Sequence, residues 1–506
     1  MSGGVRPRAL LAAATLLGLA ACGGQSSDQR GPSTGNGGVP YTAGVFQPYS
    51  SLANQCSTAA AENNFLRSWV NDTYLWYSEV PDLNPNSTSD PLDYFDLLRT
   101  SAITPSGADK DKFHFTYDTD DWIALSQSGV SAGYGAQWFL IEPAPPREVR
   151  VAYVDPNTPA AAAGVQRGDL VVAIDGADAI NGDTQAIVNT LNAGLFPDAL
   201  NESHQIRLRP ANGGAEYTAT LVSQNVTSTP VQNVHVIDSN GTKIGYILFN
   251  DHIATAEAQL IAAVNQLKNA AVTELVLDIR YNGGGYLYIA SELSYMIAGS
   301  AATAGKTFER LTFNAKYPST DPITGRALAP EPFYNTDIND VALPVLNLSR
   351  VFVLTGSSTC SASESIINGL RGAGVNVVQI GGTTCGKPYG FYPQDNCGTT
   401  YFAIQFKGVN EAGFGDYTDG FSPDNTTTAA GTRIPGCSVR DDFAHALGDA
   451  AESRLAAALT VAGGGVCPSA PPGVVEKLDL GGGSDIDGIM IRSPLRENRI
   501  LGGRAN

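Results

Sequence analysis

Positive charge is scarce in this chain of 506 residues: 31 Lys and Arg stand against 49 Asp and Glu, for a formal net charge of −18. A nucleic-acid partner requires clustered Lys and Arg to displace phosphate counterions, and this composition does not supply them. Long apolar runs are missing as well, since the longest, ALLAAATLLGLAA near the N-terminus, is too short to span a bilayer. No Cys-x-x-Cys pair or Cys/His cluster has zinc spacing, so no metal cofactor is expected. P-loop and His-Glu-x-x-His motifs are absent, and no Gly-x-Ser-x-Gly elbow leads a helix. Histidine is rare too: His114, His204, His235, His252 and His445 complete the set, and none lies in a Gly-framed catalytic turn. A His-based serine triad therefore has no evident base.

What the chain does hold is length for several domains and a 43% hydrophobic content that can build their cores. Arg6 and Arg8 precede the apolar run, an arrangement that suits a secretory signal. The run ends in Leu19-Ala20-Ala21-Cys22-Gly23, which resembles the bacterial lipobox. Cleavage before Cys22 would make it the lipid-bearing first residue of the mature chain, and Gly23 after it favours the outer membrane of a Gram-negative cell. The expected location is the bacterial cell envelope, lipid-anchored and facing the periplasm. Six cysteines remain, Cys56, Cys360, Cys385, Cys397, Cys437 and Cys467, enough for three disulfides of unspecified connectivity in an oxidising compartment.

Composition and periodicity divide the chain as follows. Residues 1–21 read as the signal peptide, and 22–58, rich in Gly, Ser, Asn and Gln, as a flexible tether. Residues 59–118 read as a small helical domain in which Phe65, Trp69, Tyr74 and Trp76 fall at helical spacing. Residues 119–226 hold short β-like runs between turn signals, and 227–470 alternate strands with helices in an α/β pattern. In the helix AEAQLIAAVNQLKNA, Leu260, Val264 and Leu267 form one apolar stripe. Residues 471–506, Gly-rich and then mixed, read as a poorly packed tail. The fold class is thus multidomain α/β.

A nucleophilic serine needs a base to take its proton and amides to hold the oxyanion, and a strand-turn-helix apex supplies the position and the donors. VFVLTGSSTCSASESIINGL has that form, placing Ser361 at a helix N-terminus with the amide of Ala362 facing outward. Ser361-Ala362-Ser363-Glu364 is equally a helix capping box. In the next strand-turn, VNVVQIGGTTCGKPYG, Lys387 follows the serine by 26 residues, and adjacent parallel strands would bring the two turns together. A lysine serves as base only when neutral, which burial favours.

TCSASE followed by the Gly-Lys turn resembles the active-site signature of the carboxyl-terminal processing proteases, peptidase family S41. IGYILFNDHIATAEAQLIAAVNQLKNAAVTELVLDIRYNGGGYL is similar to the strand, helix and glycine segment of the same family, here Asp278-Ile279-Arg280-Tyr281-Asn282-Gly283-Gly284-Gly285. The resemblance implies a ClpP/crotonase-like catalytic core, Ser361 as nucleophile, Lys387 as base, and the amides of Ala362 and Gly284 as oxyanion hole. It covers roughly residues 60 to 460. Gly133-Tyr134-Gly135-Ala136, with DPNTPAAAAGVQRGDLVVAIDG, resembles the carboxylate-binding loop and following block of a PDZ domain, implying protein or peptide substrates held by accessible C-termini. Phe391 stands where many family members carry a Gln four residues after the lysine, so Glu364 becomes the candidate for orienting the base. Cys360 and Cys385 also depart from the family pattern, and Cys385 with Cys397 is one conceivable disulfide. The rival readings are an inactive PDZ-bearing lipoprotein scaffold and a ligand carrier on the same fold.

Overall fold

The computed structural model describes residues 38–197, 199–427, 431–472, 488–491 and 499–500. Cys22 and the signal segment lie outside the described residues. Helix α1 (Ala59–Thr73) opens where Thr58 accepts a hydrogen bond from the Ala61 amide. Helix α2 (Pro91–Asp96) combines an Asp90 cap with proline at its first position. Phe65, Trp69 and Tyr74 are buried, as the helical spacing predicts, and Trp76 packs partly buried against the same core. That core is continuous with the α/β domain. Tyr401 donates to Glu62 at 2.6 Å, and the strand Phe115–Asp118 pairs antiparallel with Thr399–Phe402.

The middle module begins with β1 (Val130–Gly133) and β2 (Ala136–Glu142), continues through β3 (Glu148–Val154) and β4 (Leu170–Ile174), and adds helix α3 (Gln185–Leu195). Strands β5 (Ser203–Arg209) and β6 (Tyr217–Val222) complete it. Its own apolar core includes Trp138, Leu140, Val151, Ile174, Leu191 and Ile206.

The α/β domain carries a six-stranded sheet. A hairpin of β7 (Val231–Ser239) and β8 (Thr242–Phe249) leads into β9 (Glu274–Asp278), β10 (Arg350–Thr355), β11 (Asn376–Gly381) and β12 (Gly436–Ser438), in that spatial order, all parallel from β8 onward. Parallel strands buried on both faces need nearly continuous apolar runs, which β9 and β10 provide. Helix α4 (Ala256–Asn269) covers one face through Leu260, Val264 and Leu267, all fully buried. Each such side chain contributes about 1.5–3 kcal/mol. Helix α5 (Leu287–Ala298) and helix α6 (Ala362–Gly372) pack on each other, and α7 (Ser453–Ala462) lies across β9, β10 and β11.

Two expectations are corrected. Residues 38–58 are not a free tether: the Arg67 guanidinium lies over the rings of Tyr41 and Phe46 and donates to the Val45 carbonyl, and Cys56 is bonded to Cys397. Polar composition concealed two aromatics that hold the segment down. Nor is the tail wholly unpacked, because Ile489–Ile491 forms a strand, β13, that adds antiparallel to the edge of β2. Arg499–Ile500 forms β14, which pairs parallel with Gly285 and Tyr286. Among the described residues no helix is long and apolar enough to cross a membrane.

Candidate active site

Ser361 sits where β10 ends and α6 begins, held at φ 59° and ψ −116°. A non-glycine residue in that region costs roughly 1–3 kcal/mol and persists only where its surroundings impose it. The imposing groups are visible. The Ser361 amide donates to Glu364 at 2.9 Å, and the Cys360 amide donates to the Asn282 carbonyl at 3.1 Å. The helix opens on the capping-box arrangement of Ser361 and Glu364. Its firm half is the glutamate's: Ser361 Oγ, fully buried, has no well-formed hydrogen bond among the described residues. The Ser/Lys hydrogen bond is accordingly not made in this conformation.

The turn after β11 brings Lys387 beside this apex, as parallel neighbours require. Three links tie the two turns. Cys360 is bonded to Cys385, not Cys397, with Cα atoms 5.2 Å apart. The Cys385 amide donates to the Thr359 carbonyl at 3.0 Å. The fully buried Glu364 carboxylate accepts from Gly386 N at 2.9 Å, Lys387 N at 2.8 Å and Thr384 Oγ1 at 2.5 Å. Burial raises the pKa of Glu364, and these donors oppose the rise.

Glu364 therefore grips the backbone of the lysine turn, including the amide of the residue it is expected to orient. The lysine head itself is fully buried, with Nζ 4.5 Å from the ring centroid of Phe113 and 4.6 Å from that of Phe391. Phe391 thus packs against the amine from the place where the resemblance implied a glutamine. Phe113 arrives from before the middle module, and nothing in its local sequence signalled the role.

Ala362, the first residue of α6, presents its amide at the helix N-terminus, where intrahelical acceptors are lacking. Gly284 is placed differently from expectation. Its N–H donates to Asn282 Oδ1 at 2.9 Å, so it is engaged here and must exchange partners to hold an oxyanion. Asn282 and His252 were not singled out from sequence. Asn282 Nδ2 donates to the Phe249 carbonyl at 3.0 Å, which leaves Oδ1 to accept from Gly284 N and from His252 Nδ1 at 2.9 Å. Ser363 Oγ also donates to the Asn282 carbonyl at 3.0 Å. One asparagine therefore fastens the glycine turn to the turn that carries Ser361. Burial lowers the His252 pKa to about 3, so its ring is neutral, with Nδ1 protonated and a buried, unpartnered Nε2. The readable signal was Asn282's place ahead of three glycines, four residues after the end of a strand.

Gly133-Tyr134-Gly135-Ala136 joins β1 to β2, with Gly135 at φ 80° against Thr158, where a Cβ would lie 2.4 Å from the threonine side chain. Tyr134 is buried, and its carbonyl accepts from the Ala160 amide at 2.9 Å. The loop is thus preformed at the start of the edge strand.

Comparison with known proteins yields three family matches: "Peptidase family S41" over residues 243–392, "Peptidase S41 N-terminal domain" over 61–122, and "PDZ domain" over 150–193. The chain is 27% identical over 282 residues to a carboxyl-terminal-processing protease of the cyanobacterium Picosynechococcus, covering 52% of this chain and 56% of that protein. It is 28% identical over 162 residues to the chloroplastic carboxyl-terminal-processing peptidase 2 of Arabidopsis thaliana, covering 32% of this chain and 30% of that one. The chain thus spans about half or less of the length of the curated relatives it matches. Among solved structures, an S41 protease from Bacteroides fragilis superposes with a TM-score of 0.60 at 23% identity, covering 79% of this chain and 97% of that one, which establishes a shared fold.

Proposed function

We infer from membership of peptidase family S41, whose catalytic, N-terminal and PDZ segments the chain carries, that it is a serine endopeptidase of the carboxyl-terminal processing type. Its reading rests above all on one observation: an unpartnered serine hydroxyl on a strained helix apex, in a turn disulfide-bonded to the turn of a fully buried lysine. Ser361 Oγ attacks the scissile carbonyl and gives its proton to Lys387 Nζ, forming a tetrahedral oxyanion. Collapse breaks the peptide C–N bond, and the lysine returns the proton to the leaving amine. Water, deprotonated by the same lysine, then hydrolyses the acyl-enzyme. The Ala362 amide and a glycine of the 283–285 run, once Gly284 is released from Asn282, stabilise both oxyanions. The PDZ segment presents substrate C-termini at the Gly133–Ala136 loop. Substrates are envelope proteins, reached from a lipid anchor at Cys22.

Wild type, Ser361→Ala and Lys387→Ala are to be incubated with unstructured peptides and the products read by mass spectrometry. Each variant should lose on the order of 10⁴–10⁶-fold in kcat, as nucleophile and base deletions do. Cleavage by either variant at the wild-type rate sinks the dyad, and a wild type that cuts nothing returns the chain to the scaffold reading.

A further inference from the structure

The tail strand β13 occupies an informative place. It adds to the free edge of β2, the strand that follows the Gly133–Ala136 loop, in the register Ile489 with Leu140, Met490 with Phe139 and Ile491 with Trp138. It runs antiparallel to β2, toward the loop, as an extended ligand adding to a sheet edge would. The approach is close at Gly488, where a Cβ would lie 1.9 Å from the Leu140 carbonyl oxygen.

The same segment touches the catalytic side. Ser357 Oγ donates to the Gly488 carbonyl at 2.6 Å, and the Met490 amide donates to Ser358 Oγ at 3.0 Å. Both serines belong to the turn that leads from β10 to Ser361. Alternate side chains point to opposite sides: Ile489 joins the core of the middle module, whereas Met490 is buried with Phe139, Tyr153 and Tyr281 in the cluster between module and catalytic sheet. Farther along, β14 pairs with Gly285 and Tyr286, beside the glycine run.

One stretch of chain thus meets the sheet edge beside the PDZ loop, the nucleophile turn and the glycine turn. We propose that the tail, through residues 488–491 at the sheet edge and Arg499–Ile500 at the glycine turn, occupies the substrate path in cis, as a built-in competitor for the tails that the enzyme processes. This deepens the protease reading and rests on it. It also specifies the ligand class. A competing tail must be extended, offer a glycine or bare backbone where it crosses Leu140, and place apolar side chains at consecutive positions facing the two cores. The hydroxyls of Ser357 and Ser358 hold its backbone, which makes recognition at that point independent of side-chain identity.

The test uses the full chain. Gly488→Val forces the strand from β2 by steric conflict, and Met490→Glu does so by burying a charge, so that one survives if the other fails to fold. In a Ser361→Ala background, a fluorescent peptide of sequence GIMIRSPLRENRI should bind at least tenfold more tightly to either variant than to the chain with its tail unmodified, while a scrambled peptide does not. With Ser361 intact, hydrolysis of an unstructured reporter should rise severalfold in kcat/KM and be inhibited competitively by the same peptide. Equal peptide binding with and without the tail substitution overturns the proposal. So does a reporter cleaved no faster by the variants, which would make β13 a strand that merely completes its sheet. A protein that cleaves nothing in any form defeats the protease reading, and the binding arm then rules on the tail by itself.

Discussion

At the scale of single residues, the amine of Lys387 is placed by aromatic rings. A side-chain amide would hold a lysine head by a hydrogen bond, whereas Phe113 and Phe391 confine it by shape and by their ring faces. Phe391→Ala should therefore lower kcat by roughly 10- to 100-fold, the range in which small misplacements of catalytic groups fall. KM should stay within about twofold, and the pH dependence of kcat should move, which loss of packing alone would not cause. Steady-state kinetics on one peptide across pH decides it. The sequence exposed this position only as a departure from a family pattern. It could not expose Phe113, because that contact joins residues 274 positions apart from Lys387 and depends on how a whole module is threaded between them. His252 was set aside for want of a glycine frame, yet its ring closes the hydrogen-bond set of Asn282. Motif searches find groups that react more readily than groups that hold them.

At the scale of elements, the turns that carry Ser361 and Lys387 were legible as turns because each follows an apolar strand. Parallel adjacency then brings them together without further information. What pins them was open in sequence, since six cysteines permit several pairings and only the fold places Cys360 within reach of Cys385. Removing that bond by Cys360→Ser with Cys385→Ser should cost ~3 kcal/mol, the order expected for closing a loop of this length, 25 residues in sequence separation. It should also depress kcat more than KM, as the turns lose their relative position. Thermal unfolding and kinetics of the double variant, compared with a Cys437→Ser and Cys467→Ser control that removes the third disulfide, Cys437–Cys467, check both statements. Equal kinetic losses in the control would show that the effect is general destabilisation.

At the scale of the whole molecule, a buried charge network crosses between the PDZ segment and the catalytic sheet. Arg280 pairs with Asp278, with Asp441 at 2.8 Å and with both oxygens of Glu452, and Arg167 reaches Asp441 at 2.7 Å from the other side. The arginines hold the pKa of Asp441 and of Glu452 below the usual carboxylate range, against the opposing effect of burial. Groups with depressed folded pKa values contribute stability that is present above their unfolded pKa and lost as pH falls through the folded value. His252 acts in the same direction: its folded pKa near 3 lies below the ordinary 6.5, so between those values the unfolded chain binds the extra proton and acid destabilises the fold. Its share of the slope is at most about 1.4 kcal/mol per pH unit. Melting temperature should fall steadily from pH 6.5 to 4, and His252→Gln should flatten that decline. An unchanged slope would show that the ring is accessible to protons. Sequence composition announced a strongly acidic chain, but not that some of its carboxylates are sequestered with arginines at a domain junction, since pairing across modules leaves no local pattern.

The bond between Cys56 and Cys397 spans 341 positions and encloses the PDZ segment, the glycine turn and both catalytic turns in one covalent ring. A single cut anywhere inside that ring leaves no fragment free to leave. Self-cleavage or attack by another protease between those cysteines would yield a nicked molecule that migrates as one species until reduced, then as two. If the proposed peptide hydrolysis holds, the ring converts an internal scission from dismemberment into a scar.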